Sequence, residues 1–133
     1  MIASEKLKCL REHMQKHNVD AFIALSADPH MSEYLPDYWK IREWLTGFTG
    51  SVGTILVTQD IAGLWVDGRY WVQAETQLKD TGFSLQKLTS DESSSHWAWL
   101  SQNLKANVNV SVNTQTVSVQ QFEVLQRIAK LNN

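Results

Sequence analysis

The sequence predicts a single α/β domain over residues 1–133, built on a mixed, mainly parallel sheet flanked by helices. Three observations carry that prediction. Segments with apolar residues at helical spacing alternate with short β-branched runs, the order of α/β folds. Two neighbouring runs, 54–58 and 62–66, are separated by a short turn and read as a hairpin, so at least one strand pair is antiparallel. A chain of 133 residues fits one domain and buries roughly two-thirds of the surface its unfolded form exposes.

Ser4 is placed to cap a first helix carrying Leu7, Leu10 and Met14, and Asn18 is its stop. Ala21-Phe22-Ile23-Ala24-Leu25 is a continuous apolar run, the pattern of a strand covered on both faces. Residues 26–37 are polar and hold both prolines, Pro29 and Pro36; residues 38–45 leave room for one or two helical turns. A glycine-rich turn over 46–53 leads into the strands 54–58 and 62–66, rich in β-branched and apolar residues. Asp67 then caps a helix over about 69–78, with Tyr70, Ala74 and Leu78 at intervals of four.

The alternation of Phe83 to Leu88 predicts a half-buried strand, and 91–95 is a polar linker. Trp97, Leu100 and Leu104 form a helical stripe, and 108–112 alternates again. Ser118 and Gln121 have capping-box spacing for a last helix whose apolar face is Phe122, Leu125, Ile128 and Ala129.

With 43% hydrophobic and 20% charged residues, the composition is globular rather than disordered. A net charge of -2 supplies no basic field for a nucleic-acid backbone. Cys9 alone excludes an internal disulfide and fits a reducing compartment. No apolar run approaches the ~20 residues of a membrane span, and the first residues lack the layout of a secretion signal. The expected location is cytoplasmic. The triplet Asn109-Val110-Ser111 matches a glycosylation acceptor, a pattern common by chance. Of six tryptophans, the area argument places most in the core, with interfaces as the second home for indoles.

No complete catalytic set can be assembled. Cys9, His13 and His17 lie four apart on the first helix, but Met14 follows His13 where a zinc helix needs Glu, and no further ligand is evident. Gly47, Gly50 and Gly53 match neither the dinucleotide fingerprint nor the Walker loop, and read as backbone freedom at turns or close approaches. Two dense polar and aromatic clusters remain, 28–34 and 65–71. A loop pinned by local hydrogen bonds accounts for the first, and a helix cap at Asp67 for the second. Arg69 fits less easily. A cation in a first helical turn opposes the macrodipole at a cost of about a few tenths of a kcal/mol, and there it has an anion or carbonyl to meet.

Asp-Pro-His-Met-Ser-Glu-Tyr at 28–34, Trp-Leu-Thr-Gly-Phe-Thr-Gly-Ser-Val-Gly at 44–53 and Leu-Trp-Val-Asp-Gly-Arg-Tyr-Trp-Val-Gln-Ala at 64–74 stand in one order and spacing. Together they resemble the amino-terminal domain of Xaa-Pro aminopeptidases of the creatinase/prolidase superfamily, the long cytosolic aminopeptidase P type above all. The resemblance covers about residues 5–131. Val52, Val66 and Trp71 depart from the commoner alanine, threonine and phenylalanine.

The resemblance implies a ribonuclease H-like α/β domain without catalysis of its own. It implies a parent hydrolase that releases the residue preceding a proline in second position. Two divalent metal ions, expected to be manganese, would sit in a separate "pita-bread" domain, and the end at Asn133 reads as the boundary before it. Arg69, with His30, Glu33 and Tyr34, would contact the peptide, and Asp67 and Gly68 would position Arg69. Implied partners are the peptide, the catalytic domain and further copies of the full-length protein. Within the superfamily, prolidase and creatinase share the plan; a histone-chaperone subunit with a peptidase-like domain gives a binding-module alternative.

Overall fold

Apolar residues at consecutive positions of the inner strands give the sheet two hydrophobic faces, and the helices cover both. The computed structural model describes the backbone of residues 1–132 and the side chains of residues 1–129. In chain order the elements are α1 (Ala3–Lys16), β1 (Ala21–Ala24), α2 (Ile41–Thr46), β2 (Thr54–Val57) and β3 (Ala62–Val66). There follow α3 (Trp71–Gln77), β4 (Ser84–Lys87), α4 (His96–Asn103), β5 (Val110–Val112) and α5 (Val119–Asn132).

The strands stand in the order β4-β3-β2-β1-β5. β2 pairs antiparallel with β1 and β3, while β4 and β5 run parallel to β3 and β1. β2 is thus the single reversed strand among five, and the predicted hairpin is β2–β3. The sheet is mixed and flanked by helices, as the sequence predicts.

On one face, Leu7 and Met14 of α1, Leu45 of α2 and Ala74 of α3 pack against Ala24, Ile55, Val57, Ala62, Leu64 and Val66. On the other, Leu100 of α4 and Ile128 of α5 meet Ala21, Ile23, Leu25, Leu56 and Trp65. β1 feeds both cores, as its unbroken apolar run requires. Gly63 precedes Trp65 by two and shares its face; a Cβ there would lie 2.5 Å from Trp65 Cζ3, so glycine makes room for the indole.

Several local expectations need correction. α1 starts before Ser4: Ile2 takes the cap position and its amide donates to the Glu5 carboxylate at 3.1 Å, leaving Ser4 in the first turn. The helix does stop at Asn18, which adopts φ 55. The helix expected from Arg69 divides into a tight turn over Gly68–Tyr70 and α3. On α5 the inward stripe is Val124, Leu125 and Ile128, while Phe122 is 48% exposed and Ala129 also faces out. Only Trp65 among the tryptophans is fully buried; Trp44 is 59% exposed, with Lys6 Nζ 4.6 Å from its ring centroid.

Candidate functional site

The three motif segments meet at one end of the sheet. β1 and β3 run in the same direction, so the loops leaving them, beginning at Leu25 and Asp67, emerge on the side where the reversed β2 begins. The carboxyl ends of co-directed strands are where α/β sheets present binding groups.

Arg42, on α2, joins these loops. It is 7% exposed, and its guanidinium donates to the Ser26 hydroxyl and to the carbonyls of Gly50 and Gly53. Ser26 Oγ in turn accepts the Gly53 amide at 3.1 Å. The Arg42 cation also lies 5.6 Å from the Phe48 ring centroid. Burial pushes its pKa down, and Nε has no hydrogen-bond partner. Removing this cation would leave the Gly50 carbonyl without its donor, at about 1–3 kcal/mol, while the Gly53 carbonyl keeps the Ser26 hydroxyl. Sequence reasoning missed Arg42, although its spacing to Leu45 and Thr46, three and four residues on, puts it on the buried stripe of α2.

Beside Arg42 a cleft of about 210 Å³ opens between Glu33 and Tyr34 on one wall and Glu43, Thr49 and Ser51 on the other. Its rim is tied to the second motif: Ser51 Oγ and the Tyr70 hydroxyl are 2.6 Å apart. Tyr70 stands edge-on to Phe48 at 5.9 Å, and Thr49 Oγ1 accepts from Gln73 and Gln77 of α3, each at 3.0 Å. Gly47 ends α2 at φ 77, the left-handed cap that starts this loop.

Asp67 caps the turn that follows β3. Its carboxylate accepts the Arg69 amide, and also Nε and Nη2 of the guanidinium, each at 3.0 Å. Arg69's side chain holds the Asp67 carboxyl below the usual carboxylate range, and Asp67 raises Arg69 in return. The anion that the position of Arg69 calls for is therefore its own cap. Gly68 is exposed; a Cβ there meets Trp71 only at 3.9 Å, so space does not demand glycine.

In the first cluster the organising residue is Asp28, 2% exposed, which sequence reasoning left unassigned. Its Oδ1 accepts the amides of His30 at 2.9 Å and Ser32 at 3.0 Å, and the Ser32 amide bond chiefly lowers its pKa. The fold brings Glu33 and Tyr34 to the cleft, with Tyr34 85% exposed. It links Ser51 to Tyr70, the neighbour of Arg69. His30 is exposed and joins Arg69, Glu33 and Tyr34 by no hydrogen bond or ion pair among the described residues.

Among the described residues no three His, Cys, Asp or Glu side chains form a group that could hold a metal ion. The rings of His13 on α1 and His17 at its carboxyl cap are stacked 6.5 Å apart. The donor set does not fit a dinuclear centre, and the arrangement offers recognition: a guanidinium, a carboxylate, hydroxyls and an open cleft. No described helix is long and apolar enough to cross a membrane.

An α/β domain with a mixed sheet, loops gathered by a buried arginine and no metal-holding set among the described residues is the class that fold and site define. Residues 6–132 match the model of the Creatinase/Prolidase N-terminal domain, and the chain belongs to that family. It is 41% identical over 118 residues to Xaa-Pro aminopeptidase 2 of Rattus norvegicus, covering 89% of this chain and 17% of that protein. It superposes with a TM-score of 0.91 on the X-prolyl aminopeptidase of Caenorhabditis elegans, described as a cytosolic enzyme with a di-nuclear active site. That match has 30% identity and covers 99% of this chain and 23% of the other. The N-terminal domain of the cytoplasmic peptidase PepQ from Mycobacterium tuberculosis H37Rv shares the fold, with TM-score 0.66, 20% identity and coverage of 96% and 86%. The chain thus spans about a fifth of the length of the full-length Xaa-Pro aminopeptidases it matches.

Proposed function

We propose that this chain is the non-catalytic amino-terminal domain of a metal-dependent Xaa-Pro aminopeptidase, which releases the residue preceding proline. The observation that carries the reading is 41% identity to the rat enzyme across 89% of the chain. In this reading the two metal ions, manganese by expectation, and their ligands belong to the remainder of a longer cytoplasmic polypeptide. The present domain shapes the cleft and supports self-association, and by itself it hydrolyses nothing.

Arg69, Glu33, Tyr34 and His30 contact the peptide in this reading, and Asp67 positions Arg69. Asp67 engages Nε and Nη2, which leaves Nη1 to donate to a peptide carbonyl. The Arg69 side chain is 68% exposed, open to such a partner.

A chimera tests the proposal. Residues 1–133 replace the corresponding segment of the Caenorhabditis elegans enzyme, and cleavage of a tripeptide with proline second is measured. Retained cleavage, with a raised KM for Arg69→Ala and little change in kcat, is the expected result. A folded chimera without activity, or unchanged KM for Arg69→Ala, contradicts it. Metal-dependent cleavage by the isolated chain contradicts the non-catalytic assignment.

A further inference from the structure

His96 opens α4 with its ring among indoles. Its centroid lies 4.2 Å from that of Trp97 and 6.5 Å from Trp65 on β3, and Trp99 stands 6.4 Å from Trp65. The residue is half-buried, and its Nε2 is shielded from solvent without a hydrogen-bond partner. Ser95 caps the helix, its Oγ accepting the Ala98 amide at 3.1 Å, which puts His96 at the first helical position.

Three effects oppose a positive charge on this ring. Burial removes water. Nε2 would gain a proton with no acceptor facing it. The amino end of α4 presents partial positive charge. No nearby anion compensates. On the preceding turn, Asp91 accepts the Ser93 amide, and Glu92 borders the gap beside Trp97. From α5, Arg127 borders the same gap. On β4, Gln86 stands beside Trp65, while Lys87 turns to the other face, 5.1 Å from the Trp71 ring. None of these hydrogen-bonds or pairs with His96. Burial lowers the imidazole pKa from 6.5 to about 4.

α4 and α5 share one hydrophobic core on their face of the sheet, while α1, α2 and α3 occupy the separate core opposite. We propose that His96 is an acid-sensitive latch, whose protonation releases the α4–α5 layer from the sheet while the α1–α3 layer, which carries Arg42 and the motif loops, stays closed. The sign follows from linkage. The released ring takes its proton near 6.5 and the closed ring only near 4. The opening constant is therefore flat above that window, rises about tenfold per pH unit within it, and levels off below.

Hydrogen exchange read by mass spectrometry from pH 7 to 4.5, corrected for intrinsic rates, tests the latch on the whole chain. Segments 96–103 and 119–128 should lose protection about tenfold per pH unit below 6.5. Segments 3–14 and 71–77 should keep it, and His96→Phe should abolish the pH dependence. Simultaneous loss in both layers, or an unchanged profile in His96→Phe, overturns the proposal. Should that variant fail to fold, His96→Gln, neutral at every pH, takes its place: loss of the pH dependence in segments 96–103 and 119–128 supports the latch, and its persistence overturns it.

Discussion

Asp67 grips Arg69 with two parallel bonds, Nε to Oδ1 and Nη2 to Oδ2, both 3.0 Å long, and the same carboxylate accepts the Arg69 amide. One side chain thereby caps a turn and fixes the direction of a cation that the turn's own dipole disfavours.

Asp67→Ala should lower stability by about 1 kcal/mol through the lost cap, read as a shift of the urea midpoint. Asp67→Asn keeps an acceptor for the amide and should cost less, because an exposed ion pair contributes under about 1 kcal/mol. The Asp67 carboxyl titrates below its ordinary value because of Arg69. Its contribution is present above the ordinary Asp range and is lost as pH falls through the depressed value. A carbon-detected carboxyl titration should show this depression in the wild type and a smaller one in Arg69→Ala, where only the amide bond remains.

Arg42→Met removes the donor to Ser26, Gly50 and Gly53 while preserving much of the volume. Stability should drop by about 1–3 kcal/mol, since the Gly50 carbonyl loses its donor. Ser26→Ala should cost less, and the double variant should fall short of the sum. Denaturant unfolding of the four proteins measures that coupling.

Gly63→Ala places a methyl against the Trp65 indole. Overpacking of this kind costs about 1–3 kcal/mol. Thermal unfolding should register the loss, and adding Trp65→Phe, which shortens the ring system, should recover part of it.

At the start of α5, Ser118 Oγ accepts the Gln121 amide at 3.1 Å, and Gln121 Oε1 accepts the Ser118 amide at 2.9 Å. Ser118→Ala should cost about 1 kcal/mol. Amide exchange should quicken first in the opening turn of α5.

The capping box at Ser118 was legible because both partners sit three residues apart in the chain. The inner strands were legible for a similar local reason, since a short unbroken apolar run marks a strand covered on both faces. The start of α1 was misread because Ser4 has the chemistry of a cap, whereas Ile2 took the position with help from Glu5. Arg42 escaped notice because its acceptors are backbone carbonyls on loops 8 and 11 residues away, and carbonyls carry no sequence signature. The exposure of Trp44 was equally hidden: hydrophobicity says that an indole prefers cover, not whether a neighbour supplies it. The sequence marks Arg69 as a cation with an anion or carbonyl to meet, and the partner in the structure is the adjacent cap, Asp67.

The last strand of the sheet docks beside the first, with the Asn109 amide bonded to Asp20 across 89 positions of sequence. A ribosome that has released only the first hundred residues therefore presents β1 with one edge bare, open to any passing strand. Completion must wait for β5 to emerge, so slow translation or early truncation should leave a sticky intermediate rather than a smaller stable fold.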